Sequence, residues 1–158
     1  MLHTFIEGRG NTKKAILDYC LSNFDSEKIW LVDSLQVFDP YYLSRIDIAR
    51  ARAMLRTVKI SRPFTFYQLR EKVFGFMKIP LDEKSTIIIS SMDCFNSDGD
   101  TFEISILTKV LFRVLQRLQS LTGCKVIVCL QDKSMVPLAK EYGEVRSWEE
   151  QSYQLGTR

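Results

Sequence analysis

Short apolar runs of strand length alternate along the chain with longer stretches whose apolar residues recur every three or four positions. Such alternation marks a parallel α/β sheet covered by helices, because strands buried on both faces read as near-continuous hydrophobic runs. The pattern predicts five strands, at Leu2–Ile6, Lys28–Asp33, Val58–Ser61, Thr86–Ser90 and Lys125–Leu130. Helices are predicted between them at Thr12–Asn23, Pro40–Arg56, Thr65–Met77 and Phe102–Leu121. The last is the clearest, with Leu107, Val110, Leu111, Val114, Leu115, Leu118 and Leu121 on one face and Gly123 as its stop. Pro40 suits a first helical turn, Pro63 ends the third strand, and Cys94–Asp100 has the Asn, Ser, Asp and Gly content of a loop. With no repeat, low-complexity stretch or linker, residues 1–158 are expected to form a single domain.

Composition narrows the class. Hydrophobic residues at 46% and charged residues at 26% belong to an ordinary globule. The longest apolar runs fall far short of the roughly 20 residues that span a bilayer, and the amino terminus lacks a signal-peptide pattern, so an intracellular protein without membrane contact is expected. Cys20, Cys94, Cys124 and Cys129 form no CxxC pair and His3 is the only histidine, so no metal site is expected. Cys129, inside an apolar run, is expected to pack as a small hydrophobe, and free thiols fit a reducing compartment. The net charge of +3 permits nucleic-acid contact without requiring it.

The first strand runs directly into Glu7-Gly8-Arg9-Gly10-Asn11-Thr12-Lys13-Lys14 and then a helix. That is the order of a phosphate-binding loop, where glycines turn backbone N–H groups around a phosphate and a lysine reaches its outer oxygens. Against the pattern G-x-x-x-x-G-K-S/T with Lys13 as the lysine, Glu7 and Thr12 replace the two glycines and Lys14 replaces the Mg²⁺-binding hydroxyl. Alone, the segment also reads as a plain turn between strand and helix.

Four further segments carry a more specific likeness. Ile29-Trp30-Leu31-Val32-Asp33-Ser34-Leu35-Gln36-Val37-Phe38-Asp39-Pro40 resembles the second core strand of RecA/RadA-type recombinases, followed by D-T-E-G-T-F-R-P, with Asp33, Phe38 and Pro40 matching. Thr57–Leu69 is similar to the family's third strand and A-R-A-F turn, through Val58, Arg62 and Phe64, with Gln68 one position from the family's glutamine. Thr86–Phe95 is similar to the Walker B strand, and Val126–Gln131 to the V-V-V-T-N-Q strand before the second DNA-binding loop. The likeness covers almost all of Met1 to Gln131, in order and at nearly the family's spacings. It implies a RecA-like three-layer α/β/α core with a mostly parallel sheet, lacking the family's N-terminal helical domain.

The departures fall on chemistry. The glutamate that orients the attacking water in the family corresponds to Leu35, which cannot act as a base. The Walker B aspartate corresponds to Ser90 and the phosphate-loop hydroxyl to Lys14, so two supports of the Mg²⁺ are lost. No catalytic residue and no cofactor is therefore expected. Gly8, Gly10, Lys13, Lys14 and Gln131 remain as candidates for weak, metal-free nucleotide binding. Plain structural roles, Leu35 in the core and Ser90 at a strand end, stand beside this reading.

The resemblance places DNA on two loops. The first, Asp93–Glu103, is acidic here through Asp93, Asp98, Asp100 and Glu103 and would repel phosphate. The stretch from Asp132 mixes Lys133, Lys140 and Arg146 with Tyr142 and Trp148, but also holds Asp132, Glu141, Glu144, Glu149 and Glu150, as a solvated surface segment would. Arg45, Arg50, Arg52 and Arg56 make a basic stripe on the second helix against Asp47 alone. Among Phe64, Phe66, Tyr67, Phe74, Phe76 and Met77, most are expected to pack in the core and the rest to form an interface.

The likeness implies a non-catalytic accessory protein of homologous recombination and DNA repair, similar to the ATPase-dead recombinase paralogues of the Shu complex. It would pair with another recombinase-like paralogue or the recombinase itself as a hetero-oligomer, and bind single-stranded or forked DNA. Two alternatives stay open: a divergent active ATPase drawing on Asp33 or Asp93 for its metal, and an interaction subunit without DNA contact. The expected location is the nucleus in a eukaryote and the cytoplasm otherwise.

Overall fold

The computed structural model describes residues 2–6, 11–39, 41, 42, 45, 47–96 and 101–147. In chain order they form β1 (Leu2–Ile6), α1 (Asn11–Asn23), β2 (Lys28–Val32), α2 (Ile48–Thr57), β3 (Lys59–Ser61), α3 (Phe66–Gly75), β4 (Ser85–Ile89), α4 (Thr101–Thr122), β5 (Lys125–Leu130), α5 (Val136–Lys140) and β6 (Gly143–Ser147). Short 3-10 turns follow α3 at Phe76–Lys78 and precede α5 at Lys133–Met135. The strands make one sheet in the order β3-β2-β4-β5-β1-β6, with every neighbouring pair parallel.

Central position explains the strand sequences. All five residues of β4 are buried, as are all of β5 after Lys125, and both strands are apolar beyond their first residues, Ser85 and Thr86 in β4 and Lys125 in β5. Successive side chains point to opposite faces. Ile88, Ile127 and Cys129 meet Ile16, Leu17 and Cys20 of α1 and Ala51 and Met54 of α2 on one face. Ile87, Ile89, Val126 and Val128 meet Phe66, Leu69 and Val73 of α3 and Leu111, Phe112 and Leu115 of α4 on the other. The architecture is thus a three-layer α/β/α sandwich, and each fully buried Ile or Leu adds about 1.5–3 kcal/mol of transfer free energy.

Helix ends follow local chemistry. Asp47 caps α2 by accepting from Arg50 N at 3.0 Å. Thr65 accepts from Gln68 N at 3.2 Å, while Gln68 Oε1 accepts from Phe64 N at 2.7 Å, a reciprocal cap that starts α3. Gly123, at φ 76°, closes α4 by donating to Gln119 O, and a Cβ there would lie 2.9 Å from Glu83 Cγ.

Four expectations are corrected. The helix predicted over Pro40–Arg56 is not continuous, because Asp47 is extended and begins α2 at Ile48. The segment from Asp132 lies at the surface as expected, with Ala139 alone buried among 132–147, but it folds into a turn, α5 and a sixth strand, β6, where five strands were predicted. Of the aromatic-rich group only Phe66 and Phe76 are buried; Phe64, Tyr67, Phe74 and Met77 are exposed, so most do not pack in the core. Arg50 leaves the basic stripe: its guanidinium donates to Leu21 O at 3.0 and 2.7 Å, satisfying a carbonyl of the last turn of α1.

The helices on the two faces carry the chain in opposite directions across the sheet. Connections toward the β3 edge run through α1 and α2, and those toward the β6 edge run through α3, α4 and α5. Adjacent β2 and β4 therefore release their chains to opposite faces, as do β1 and β5. Crevices at the carboxyl ends of such strand pairs are where parallel α/β sheets hold ligands.

Candidate functional site at the carboxyl ends of the strands

At the amino ends of the strands a polar cluster satisfies itself. Tyr19 Oη donates to Glu27 at 2.7 Å, Thr86 donates to the same carboxylate at 3.1 Å, and Lys125 Nζ reaches Tyr19 Oη at 3.0 Å and Glu27 at 3.1 Å. Burial, then the bond to Glu27, holds the Tyr19 phenol far above its ordinary pKa, so it stays a neutral donor. This end binds the layers together, which leaves the carboxyl ends as the place for chemistry.

There, two buried carboxylates organise the loops. Asp33 follows β2, is 0% exposed, and accepts from Val37 N and Phe38 N at 2.9 Å each. Arg62 Nε lies 3.5 Å from the same carboxylate and its Nη2 donates to Phe38 O at 2.6 Å. Asp33, Phe38 and Arg62, three residues that carry the recombinase likeness, are thus one structural knot after β2 and β3. Asp93 follows β4 and accepts from Gln131 N at 2.9 Å and Asp132 N at 2.7 Å, and from Ser91 Oγ at 3.0 Å. It pins the loop after β5 to the loop after β4.

The two serines between these carboxylates are equally engaged. Ser90 is fully buried and its Oγ accepts from Leu35 N at 2.9 Å. Ser34 Oγ accepts from Ser91 N at 3.0 Å and donates to Ser91 O. Leu35 packs on the core between the sheet and α1. Cys94 places its thiol 3.7 Å from Ser34 O, and desolvation raises its pKa against the lowering by hydrogen bonds, keeping it a protonated, unreactive thiol near neutrality. Cys129 is 0% exposed and packs as a small hydrophobe.

Lys13 lies in the first turn of α1 and pairs with Asp39 at 3.2 Å. Desolvation pushes the Asp39 carboxyl up, but Lys13 and the amides of Tyr42 and Tyr41 outweigh it and hold the group below its ordinary pKa. Lys14 is exposed and draws Asp18 downward against a larger upward push from burial. Gly8 and Gly10 lie outside the described residues, as do Asp98, Asp100, Trp148, Glu149 and Glu150. Gln131 is exposed at the end of β5, where its amide is held by Asp93. Lys13, Lys14 and Gln131 therefore sit at the carboxyl side of the sheet, but Lys13 is turned to an acid rather than left free.

The candidate DNA contacts divide into two groups. Arg52 and Arg56 are exposed on α2, with Arg45 exposed just before it. Lys133 and Lys140 are exposed around α5, and Arg146 on β6 is ion-paired with Glu144. Tyr142 stacks on Phe112 at 5.5 Å, so it belongs to packing rather than to base stacking. Since α2 leads to β3 and α5 leads to β6, opposite edges of the sheet, the fold does not bring the two groups together.

Among the described residues, no group of three or more His, Cys, Asp or Glu is placed to hold a metal ion. The buried hydroxyls of Ser34 and Ser90 and the buried carboxylates of Asp33 and Asp93 accept from backbone amides, which orders the loops at the strand ends. Sequence reasoning missed these commitments although Asp33 meets amides only four and five residues on; those of Ser34, Ser90 and Asp93 join residues about forty to sixty positions apart. It also missed the exposure of Tyr67 and Phe74, for which their i, i+7 spacing was a signal. No model of a known protein family matches the chain, and no curated protein matches it either.

Proposed function

We propose that the chain is a non-catalytic accessory subunit of homologous recombination and DNA repair, a RecA/RadA-type core that pairs with another recombinase-like subunit and binds single-stranded or forked DNA without hydrolysing ATP. The observation that carries the reading is the engagement of Ser90, Asp33 and Asp93 by backbone amides, at strand ends that correspond to the ATPase site of the recombinases the sequence resembles. Three supports of hydrolysis are replaced together at Leu35, Ser90 and Lys14, while the matched residues Asp33, Phe38, Arg62, Phe64 and Gln68 hold turns and a helix cap. Selection for the fold without the chemistry leaves that combination.

The divergent-ATPase alternative draws on Asp33 or Asp93 for the metal, and both have their oxygens turned to N–H groups. The test is twofold. Purified protein should show no Mg²⁺-dependent ATP turnover above that of Lys13→Ala, and it should raise the anisotropy of a labelled single strand at low salt. Turnover lost in Lys13→Ala would overturn the non-catalytic half, and unchanged anisotropy, alone and with its partner chain, would overturn DNA binding.

A further inference from the structure

The largest feature that the strand-end loops do not use is the outer surface of α3 and α4. The inward residues of α3, Phe66, Leu69 and Val73, already fill the core with Phe76. Tyr67 and Phe74, and Met77 in the turn that follows, nevertheless stand 42%, 38% and 59% exposed, as does Phe64 before the helix at 64%. Beside it, α4 exposes Phe102 at 76% and Ile106 at 46%, one turn apart. The two helices pack side by side in the same layer over the sheet. These six, of the ten large hydrophobic side chains exposed on the described residues, thus lie on the two neighbouring helices or directly beside them.

Its charge is one-sided. From Phe66 to Lys78 and along α4 the cations are Arg70, Lys72, Lys78, Lys109, Arg113 and Arg117, and the only acids are Glu71 and Glu103. On α4 the exposed line runs from Phe102 and Ile106 into Lys109 and Arg113 at helical spacing, so apolar and basic positions adjoin. Exposed apolar rows bordered by charge are the composition of a protein interface, with a desolvated centre and a polar rim.

We propose that the α3/α4 face docks an acidic amphipathic helix of a partner chain, whose apolar side covers Tyr67, Phe74, Met77 and Ile106 and whose carboxylates meet Arg70, which lies over the Tyr67 ring, Lys109 and Arg113. Helix-in-groove recognition uses apolar anchors at this spacing, and complementary charge sets the orientation. Tyr67 and Phe74 could stack on bases, but Met77 and Ile106 offer neither a stacking face nor a hydrogen bond to a base or phosphate, so a single strand enters the test as the competing ligand. A second copy of the chain fits less well, since two such faces would oppose like charges. The proposal stands apart from the recombination reading. Loss of DNA binding or gain of ATP turnover would leave it intact, and its failure would leave that reading intact.

The test uses the full chain and three labelled probes in anisotropy titrations. These are a synthetic helix with leucines at third and fourth positions and glutamates elsewhere, the same helix with lysines for the glutamates, and oligothymidine. The glutamate helix should bind, more weakly as salt rises, and the lysine helix should not. Phe74→Ser with Met77→Ser should weaken binding about tenfold or more. Lys109→Glu with Arg113→Glu should reverse the preference between the two peptides, while Leu55→Ser on α2 should change nothing. Circular dichroism of each variant keeps loss of fold separate from loss of surface. No binding of the glutamate helix at low salt, equal binding of both helices, displacement by oligothymidine, or self-association abolished by Phe74→Ser with Met77→Ser would each overturn the proposal.

Discussion

At Gln36 the backbone adopts φ 58°, the only described non-glycine residue with a positive φ. A left-handed residue with a Cβ carries about 1–2 kcal/mol of steric cost, and the recombinase turn that the segment resembles has glycine at this place. The turn is held regardless, by Gln36 N on Asp33 O at 3.2 Å and by Asp33 on the two amides that follow. Gln36→Gly should therefore raise the midpoint of chemical denaturation by an equivalent of about 1 kcal/mol, the steric relief less the added chain entropy. Asp93 works in the other direction. Removing it in Asp93→Ala strands the amides of Gln131 and Asp132, a loss of roughly 3 kcal/mol, and should speed hydrogen exchange in the loop after β5 before the core exchanges. Unchanged stability and exchange would show that the two loops are not tied by this carboxylate. Neither role was legible in the sequence, where Asp93 read as an acid in a repelling loop or as an alternative metal ligand. Its partners lie 38 and 39 residues away, and nothing in local pattern announces a contact of that range.

Among elements, legibility followed burial. The buried strands β4 and β5 announced themselves as apolar runs, and α4 by its leucine spacing, because their neighbours exclude water on every side that the pattern encodes. The edge strand β6 did not, since Gly143–Ser147 is half-buried throughout and Val145 is its only strongly apolar residue. The break before α2 was written in Asp47, an N-cap residue, but was hidden under arginines at helical spacing. The join between α1 and the segment after β2 rests on Lys13 and Asp39, and its pH dependence has a definite sign. Asp39 is held below its ordinary value, so this contact adds stability above the unfolded carboxyl pKa of about 3.9 and loses it as pH falls through the lower, folded value. A carbon-detected titration should place the Asp39 midpoint below that of an unperturbed aspartate, and Lys13→Ala should move it upward. A midpoint unmoved by Lys13→Ala would mean that the ion pair does not form in solution and that Lys13 is free to meet an anion.

Across the whole molecule, the cations are divided among separate faces. The sheet is six strands wide, so α2 and α5 lead to edges about 24 Å apart at the usual strand spacing. The α5 edge sets Lys133 beside Asp132, Lys140 beside Glu141, and Arg146 on Glu144, which leaves little uncompensated charge. The α2 face presents Arg45, Arg52 and Arg56, while of the acids beside it Asp47 is spent on a helix cap and Asp25 pairs with Arg50. The proposed contact with single-stranded DNA is therefore expected on α2 rather than on α5. Each phosphate neutralised on a single strand contributes a slope of about −0.7 to the logarithm of affinity against the logarithm of salt. Arg52→Glu with Arg56→Glu should weaken oligothymidine binding and flatten that slope by about 1.4, or more if the new carboxylates repel the strand. Lys133→Glu with Lys140→Glu should leave both nearly unchanged. The opposite pattern would move the DNA to the α5 edge, where the resemblance to recombinases places it, and equal indifference to both pairs would remove DNA from α2 and α5 alike.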